Sequence, residues 1–306
     1  MTTIPTYGIC TFVTDENSPD EVLVYPKENP SEKLFIRRFA PYADEYAHVA
    51  VPHKHNFYKM ILVLNGKGTT TIDFEEFPID QSTAYFMIPG QVHDYNIIGK
   101  LNMYGVDFSE GYFQSFLQDV HYYERFPFFQ GNLTDSVVKV SPEVLKKVSE
   151  LLDSIIEEGH RHGSASDDLI KIWILEVLIL MARQCEDNGI KNPAHKTSSL
   201  ISKFRKLVDE NFVKLSLPKD YAALLYVTPS YLNQMCQKIL DKTAGEVIRD
   251  RKLLEAKRLL VNLDLNISQI AYDLNFSDAS HFSKFFKKYS SKSPEEFRKS
   301  AFEIIE

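Results

Sequence analysis

The stretch NISQIAYDLNFSDASHFSKFFKKYSSKSPEEFRK, residues 266–299, decides how the rest of the chain is read. Ile267, Ile270, Ala271 and Leu274 fall on one face of a short helix. Asn275 follows where the chain must turn, and asparagine enters the left-handed region at lower cost than most residues. Ser277 or Asp278 can cap a second helix. On that helix Phe282, Phe285 and Phe286 point inward, while Ala279, Ser280, Ser283 and Lys284 point away, with Lys287 and Lys288 following. Two short helices across a tight break make a helix-turn-helix unit.

The layout occurs once more upstream, in LSLPKDYAALLYVTPSYLNQMCQKIL (215–240). Ser216 and Pro218 are expected to start a helix running to about Leu225, and Thr228-Pro229 to start the next. Leu232, Met235, Cys236 and Ile239 share one face of this second helix; the other carries Ser230, Asn233, Gln234, Gln237 and Lys238. Hydroxyls and amides beside a cation suit base edges next to phosphates. A merely solvated face would hold more Glu and Lys. Between the units AGEVIRDRKLLEAKRLLVNL (244–263) places Ile248, Leu253, Ala256, Leu259, Leu260 and Leu263 within an arc of roughly 140°. About 17 helical residues at ~1.5 Å each span ~25 Å. Such a rod could hold two recognition helices over successive major grooves, ~34 Å apart.

The bulk properties agree with two domains. The chain has 306 residues, 44% hydrophobic and 25% charged. From residue 196 onward it carries 19 Lys and Arg against 14 Asp and Glu, a net of +5; the remainder carries 16 against 28, a net of −12. Either only the C-terminal third meets a polyanion, or the surface charge varies by chance. Cys10, Cys185 and Cys236 are isolated, which fits a reducing cytoplasm better than a disulfide framework. MTTIPTYGIC has no basic segment leading into an apolar run, and IWILEVLILMA (172–182) is too short to span a bilayer, so no export signal or membrane partner is expected. No GxxxxGK[ST], GxSxG or HExxH occurs. The acid pairs Glu75-Glu76, Glu157-Glu158 and Asp167-Asp168 read as solvated surface or helix starts.

Residues 1 to about 140 read as short strands broken by Asn, Gly, Pro and Asp, which predicts a sandwich or barrel. Residues 141–186 switch to helical period. Ser141 and Pro142 start one helix, and SDDLIKIWILEVLILMARQCED forms a second that is apolar nearly all round. This pair is either a helical cap on the β domain or a dimerisation hairpin, with the dimer favoured. Residues 187–198 read as a linker.

Within the β region, HVAVPHKHNFYKMILVLNGKG (48–68) puts His53, His55, Phe57 and Lys59 on one face of a strand. With His93 the barrel offers three imidazoles, enough for a zinc-type site, but an ammonium at the fourth corner opposes a dication. Two other readings stand beside a metal. These side chains only stabilise the barrel rim, or they line a pocket for an anionic or polar small molecule, walled by Phe57, Ile61, Tyr85, Phe86 and Tyr95.

Residues 199–306 resemble the DNA-binding domain of AraC/XylS-type transcription regulators. The resemblance rests on ISQIAYDLNFSDASHFSKFFKKYSSKSPEEFRK and on AGEVIRDRKLLEAKRLL before it. It implies sequence-specific contact with double-stranded DNA by both units. Carried onto matching positions, base contacts fall to Ser230, Asn233 and Gln234 in the first unit and to Ala279, Ser280, Ser283 and Lys284 in the second. Gln237, Lys238 and Lys287 continue the same faces. The family usually has Gly where this chain has Asn275, and often Arg where it has Lys284. The N-terminal region resembles a cupin barrel: His-x-His, three residues, a carboxylate, six residues, Gly becomes HKH, NFY, Lys59, MILVLN, Gly66. Spacing is kept and the carboxylate is replaced. The second motif, MIPGQVHDYN, has Pro89 directly before Gly90 instead of one residue away.

The expected fold is therefore α+β and multidomain: a cupin-like effector-sensing barrel (1–140), a helical hairpin (141–186), a linker (187–198) and an all-α domain with two helix-turn-helix motifs (199–306). The expected function is a cytoplasmic, homodimeric transcription regulator controlled by an unidentified small molecule, with no enzyme activity, cofactor or bound metal. The alternatives are a constitutive dimeric regulator without a ligand and a metal-dependent cupin enzyme fused to a DNA-binding domain.

Overall fold

In the computed structural model the described residues are 6–7, 21–25, 33–39, 52–117, 122–161, 165–189, 198–262 and 264–303. The chain divides into two compact units, one reaching residue 192 and the other beginning at 193. Of the expected linker, residues 190–197 lie outside the described residues, as does Leu263.

The first unit is built on one sheet. Its strands are β1 (Thr6–Tyr7), β2 (Glu21–Tyr25), β3 (Leu34–Phe39), β4 (His53–His55), β5 (Tyr58–Ile72), β6 (Glu75–Ile79), β7 (Thr83–Met87), β8 (Val92–Phe108) and β9 (Val137–Lys139). They run β1-β4-β8-β5-β7-β9, with β3 also on β8, β2 on β3 and β6 on β5. The long strands β5 and β8 pair antiparallel along nearly their whole length, from Tyr58↔Phe108 to Ile72↔His93, with register shifts around Asn65. Bulges of this kind let a long hairpin curl round itself. Gly68 permits the tight part of that curl, since a Cβ there would run into the carbonyl oxygen of Asn96.

Alternation divides the sheet into two faces. Leu34, Ile36, Tyr58, Met60, Leu62, Ala84, Phe86, Tyr104, Val106 and Phe108 form one core with the helices α1 (Pro142–Gly159) and α2 (Ser166–Asp187). Ile61, Val63, Ile72, Ile79, Tyr85, Met87, Leu101 and Met103 form the other core, inside the curled sheet. Phe86 was expected on the pocket wall with Tyr85. It lies on the opposite face, stacked on Phe128 with ring centroids 3.8 Å apart, because neighbouring strand residues point opposite ways.

Helix α1 begins as its sequence dictates, Ser141 Oγ accepting from Val144 N with Pro142 in the first turn. Tyr104 Oη donates to Asp153 Oδ1 and fastens α1 to β8. The buried rows of α1 and α2 join the core on this face of the sheet. Asp167 stands in the first turn of α2, one of the two places expected for it, and accepts at 2.9 Å from the fully buried Lys171, whose Nζ also donates to Ser115 Oγ at 2.7 Å. That pair ties α2 to the segment following β8. No helix among the described residues is long and apolar enough to cross a membrane.

The second unit is all helical: α3 (Ser198–Asn211), α4 (Pro218–Leu224), α5 (Pro229–Leu240), α6 (Ala244–Leu260), α7 (Ile267–Asp273), α8 (Ala279–Ser290) and α9 (Pro294–Glu303). Its core joins Phe204, Tyr221, Leu232, Cys236, Ile248, Ala256, Leu260, Ile270, Phe282 and Phe286. Helix α6 is the central rod. Thr243 and Glu246 close a capping box at its start, and Arg298 closes its end by donating to the carbonyls of Leu260 (2.9 Å) and Leu265 (2.7 Å). The buried Lys252 lays its ammonium over the Phe276 ring at 4.6 Å, joining the rod to the second turn. One cap differs from expectation. Leu217, with no side-chain cap bond, precedes α4, so Ser216 does not cap it; Pro218 alone marks that start.

Candidate functional site

The two helix-turn-helix units share one construction. In the turns Tyr226 and Asn275 both adopt the left-handed conformation, with φ +56° and +58°. The next residues close the same bond: Val227 N donates to Ala222 O at 3.0 Å and Phe276 N to Ala271 O at 2.9 Å. The second helices then start on Thr228 Oγ1, which accepts from Tyr231 N, and on Asp278 Oδ1, which accepts from His281 N at 2.7 Å. Of the two expected caps Asp278 is the one used, and the bond to the helix holds its carboxyl below the usual carboxylate range.

With Leu232, Met235 and Cys236 buried on α5, the centre of its outward face falls at Ser230, Gln234 and Gln237, with Asn233 and Lys238 on the flanks. With Phe282 and Phe286 buried on α8, the outward centre falls at Ser280, Lys284 and Lys287. All six central residues are exposed. Two expected base readers are engaged within the fold. Asn233 Oδ1 accepts from Ala244 N at 3.1 Å and so serves the start of α6. Ser283 Oγ donates to Ala279 O at 2.7 Å. Ala279 itself is half-buried at the helix start. Gln237 makes a 3.3 Å contact to Asp241, whereas Gln234 and Lys284 make no side-chain hydrogen bond among the described residues. His281, absent from the expected set, is exposed on the flank of α8, with Nδ1 3.2 Å from Ser277 Oγ and its ring edge-on to Phe276.

The barrel interior has the other cluster. His53, His55 and His93 are all buried, and their ligating nitrogens lie within 4.8 Å of one another. The pairing of β4 with β8 sets His53 directly across from His93. Nε2 of His55 is 2.8 Å from Nε2 of His93, and His93 Nδ1 is 3.2 Å from the carbonyl oxygen of Gln91. A carbonyl only accepts, so His93 carries its proton on Nδ1 and offers a lone pair at Nε2. Gln91 is itself fixed, receiving from Ile88 N and donating to Asp73, which also accepts from Val92 N. Burial, then neighbouring imidazoles and Lys59, push the His55 and His93 pKa values far below the ordinary histidine range, so both rings are neutral.

Lys59 is not an isolated cation. Its Nζ lies 2.6 Å from Oδ1 of Asp107, the residue paired with it across β5 and β8. Burial raises the Asp107 pKa, with Lys59 first and then Arg37 opposing that rise. Phe57 stacks near His55 at 4.4 Å, and the half-buried Tyr95 contacts His93 at 5.6 Å, its hydroxyl 3.6 Å from Met87 Sδ. Ile61 and Tyr85 lie deeper in the apolar core, the Tyr85 hydroxyl consumed by Pro78 O and Asp80 N. The cluster brings three imidazoles together, those of His55 and His93 held neutral by burial, beside an ammonium already balanced by a carboxylate.

Comparison with known proteins agrees with this two-part layout. The family described as the AraC-like ligand binding domain matches residues 37–171, and a helix-turn-helix domain family matches 221–300. Among curated relatives, the HTH-type transcriptional activator RhaR of Mannheimia succiniciproducens is 22% identical over 272 residues, covering 86% of this chain and 94% of that protein. RhaS of Enterobacter sp. (strain 638) is 22% identical over 249 residues, 80% of this chain and 86% of that one. Among solved structures, unsaturated fatty acid bound wild-type ToxT from Vibrio cholerae strain SCE256 covers 93% of this chain and 97% of its own at 15% identity and a TM-score of 0.42. The C-terminal domain of AraT, a response regulator from Geobacillus stearothermophilus, covers 34% of this chain and 88% of its own at 25% identity and a TM-score of 0.32. With a ligand-binding-type barrel preceding a paired helix-turn-helix domain, the chain belongs to the AraC family of DNA-binding transcription regulators.

Proposed function

We propose that the exposed faces of α5 and α8 are the base-contacting surfaces of this regulator, and that the polar floor of the barrel binds a small molecule that sets its activity. The observation that carries the first part is the doubling. Two units with the same turn, cap and buried row each leave a polar row outside. Fluorescence anisotropy of the full chain on promoter duplexes tests it. Affinity that exceeds binding to random duplex and falls steeply with salt is expected; equal, salt-insensitive binding refutes it.

For the barrel, the paired Lys59 and Asp107, three imidazoles and Tyr95 supply donors and acceptors against apolar walls, which suits an anionic or polar effector. Such a molecule controls the protein only as far as it binds two states unequally. Lys59→Ala is expected to change the ligand response while leaving duplex affinity of the unliganded chain in place. Identical responses in mutant and parent remove Lys59 from the sensor. A second reading rests on the convergence of His53, His55 and His93 within 4.8 Å: the signal is a divalent cation. Titration of chelator-treated protein with Zn2+ or Co2+ separates the two, stoichiometric uptake abolished by His93→Ala favouring the cation. A homodimer is also proposed, formed through the outer face of α2, where Ile172 is 47% exposed. Sedimentation of the parent and of Ile172→Glu tests it.

A further inference from the structure

The two units correspond residue by residue. In front of the second helices the offset is 49, Ala222 matching Ala271 and Tyr226 matching Asn275. From the caps onward it is 50: Thr228 with Asp278, Leu232 with Phe282, Cys236 with Phe286, and the left-handed stops Asp241 with Ser291. The match runs into the following helices, where Thr243–Glu246 and Ser293–Glu296 form the same reciprocal cap. The outward positions of the two reading helices are thereby placed in pairs: Ser230 with Ser280, Gln234 with Lys284, Gln237 with Lys287. In the flanking pair, Asn233 with Ser283, a side-chain oxygen is bonded to backbone in both units.

On this common frame the chemistry diverges. A glutamine amide presents a donor and an acceptor together, matching the N7 acceptor and N6 donor of adenine in the major groove. A lysine ammonium presents donors only, matching the O6 and N7 acceptors of guanine, or a phosphate. We infer that the two heads read different bases: α5 an adenine-bearing segment through Gln234 and Gln237, α8 a guanine-bearing segment through Lys284 and Lys287. The half-site is then directional. Its two segments differ in base composition, and exchanging them weakens binding. The lysine head also carries more of the salt dependence, since cations release counterions and amides do not.

This inference rests on the reading that α5 and α8 contact DNA, and one experiment separates their failures. The full chain is used to select duplexes from a randomised library at fixed salt, and the enriched columns are compared among the parent, Gln234→Lys, Lys284→Gln and Gln234→Ala/Gln237→Ala. The parent is expected to enrich an adenine column and a guanine column about one helical turn apart, roughly 10 base pairs. Gln234→Lys should convert only the first towards guanine and Lys284→Gln only the second towards adenine, each by about tenfold in preference. Lys284→Gln should also lower the slope of log affinity against log salt by about one. Identical base classes in both segments, or swaps that leave their columns unchanged, overturn the assignment while DNA contact stands. If the double alanine chain keeps the parent's affinity and every column, α5 does not read DNA and the underlying reading falls with the inference. All substituted side chains are exposed, so thermal melts of the variants should match the parent.

Discussion

Replacing Lys59 with methionine isolates the most consequential buried contact in the barrel. The ammonium and the Asp107 carboxylate are 2.6 Å apart, with side chains 12% and 5% exposed. Methionine keeps much of the volume and removes the charge, leaving the buried Asp107 without its ammonium. Breaking a buried pair from one side costs ~3–5 kcal/mol. For a unit of this size, ~1 kcal/mol shifts the midpoint by roughly 2–4 °C, so a drop of about 6–20 °C is expected. The deficit depends on pH. Burial already lifts the Asp107 pKa above its unfolded value, against the pull of Lys59 and then Arg37. A carboxyl with a raised folded pKa stabilises fully below the unfolded value, about 3.9, and loses that contribution as pH rises through the folded value. Without Lys59 the folded value climbs further. The gap between Lys59→Met and the parent should therefore be smaller at pH 5 than at pH 7.5. Lys59→Met/Asp107→Asn removes both charges and should recover most of the loss. Circular dichroism melts of the four combinations at both pH values check this. A loss that is the same at both pH values, or strictly additive in the double variant, refutes the coupled pair.

Arg298→Ala removes two charge-assisted bonds to the end of α6 and its following loop, and should cost the DNA-binding unit ~2 kcal/mol in a denaturant titration, with Lys restoring part. Tyr226 is 96% exposed in a left-handed conformation, so Tyr226→Asn should stabilise that unit by ~0.5–1 kcal/mol; a loss of stability would mean that the ring makes a contact of its own. Gly68→Ala, with no room against Asn96, should destabilise the barrel by ~2 kcal/mol or more, read as a lower urea midpoint, while a neutral result would show that the β5–β8 crossing can relax.

How far residues alone led follows from how local each signal is. The helix-turn-helix units rest on contacts within a few dozen residues. Thr228, Asp278, Pro229 and the phenylalanine row were legible because caps and 3.6-residue periodicity are written next to each other. The 50-residue correspondence between the units was equally present in the sequence, yet it hides behind different side chains and shows once caps and left-handed turns are aligned. The barrel was harder. The spacing of His53, His55 and Lys59 gave their shared face, but the partner of Lys59 is 48 positions away and depends on the β5–β8 register. Asp107 did leave a trace, a carboxylate in the otherwise apolar run MYGVDF on the same parity as Met103 and Gly105. By that same parity Phe86, next to Tyr85, faces the helices and not the barrel interior. Asn233 and Ser283 were on the right helices, but whether a polar group faces water or its own backbone is a tertiary question.

The register that pairs Lys59 with Asp107 also bears on why the barrel keeps polar groups at its floor. A buried ion pair is a weak source of stability: replacing both members with apolar residues of similar size is commonly neutral or better. Three close-packed imidazoles, His55 and His93 held neutral by burial, give little binding energy to the fold either, and each ring nitrogen must be matched to a partner or forfeit about 1–3 kcal/mol. An all-apolar interior, continuing the cluster of Ile61, Val63, Leu101 and Met103, would satisfy folding alone. A floor made of donors and acceptors, fixed from behind by Gln91 and Asp73, gains its advantage only when something polar is placed against it. This is the physical case for treating the barrel as a sensor, and it predicts an asymmetry. Apolar replacement of Lys59 and Asp107 together should leave the melting temperature near the parent's while abolishing any ligand-induced thermal shift. A double variant that melts like the parent and still gains the same shift would return these residues to a purely structural role.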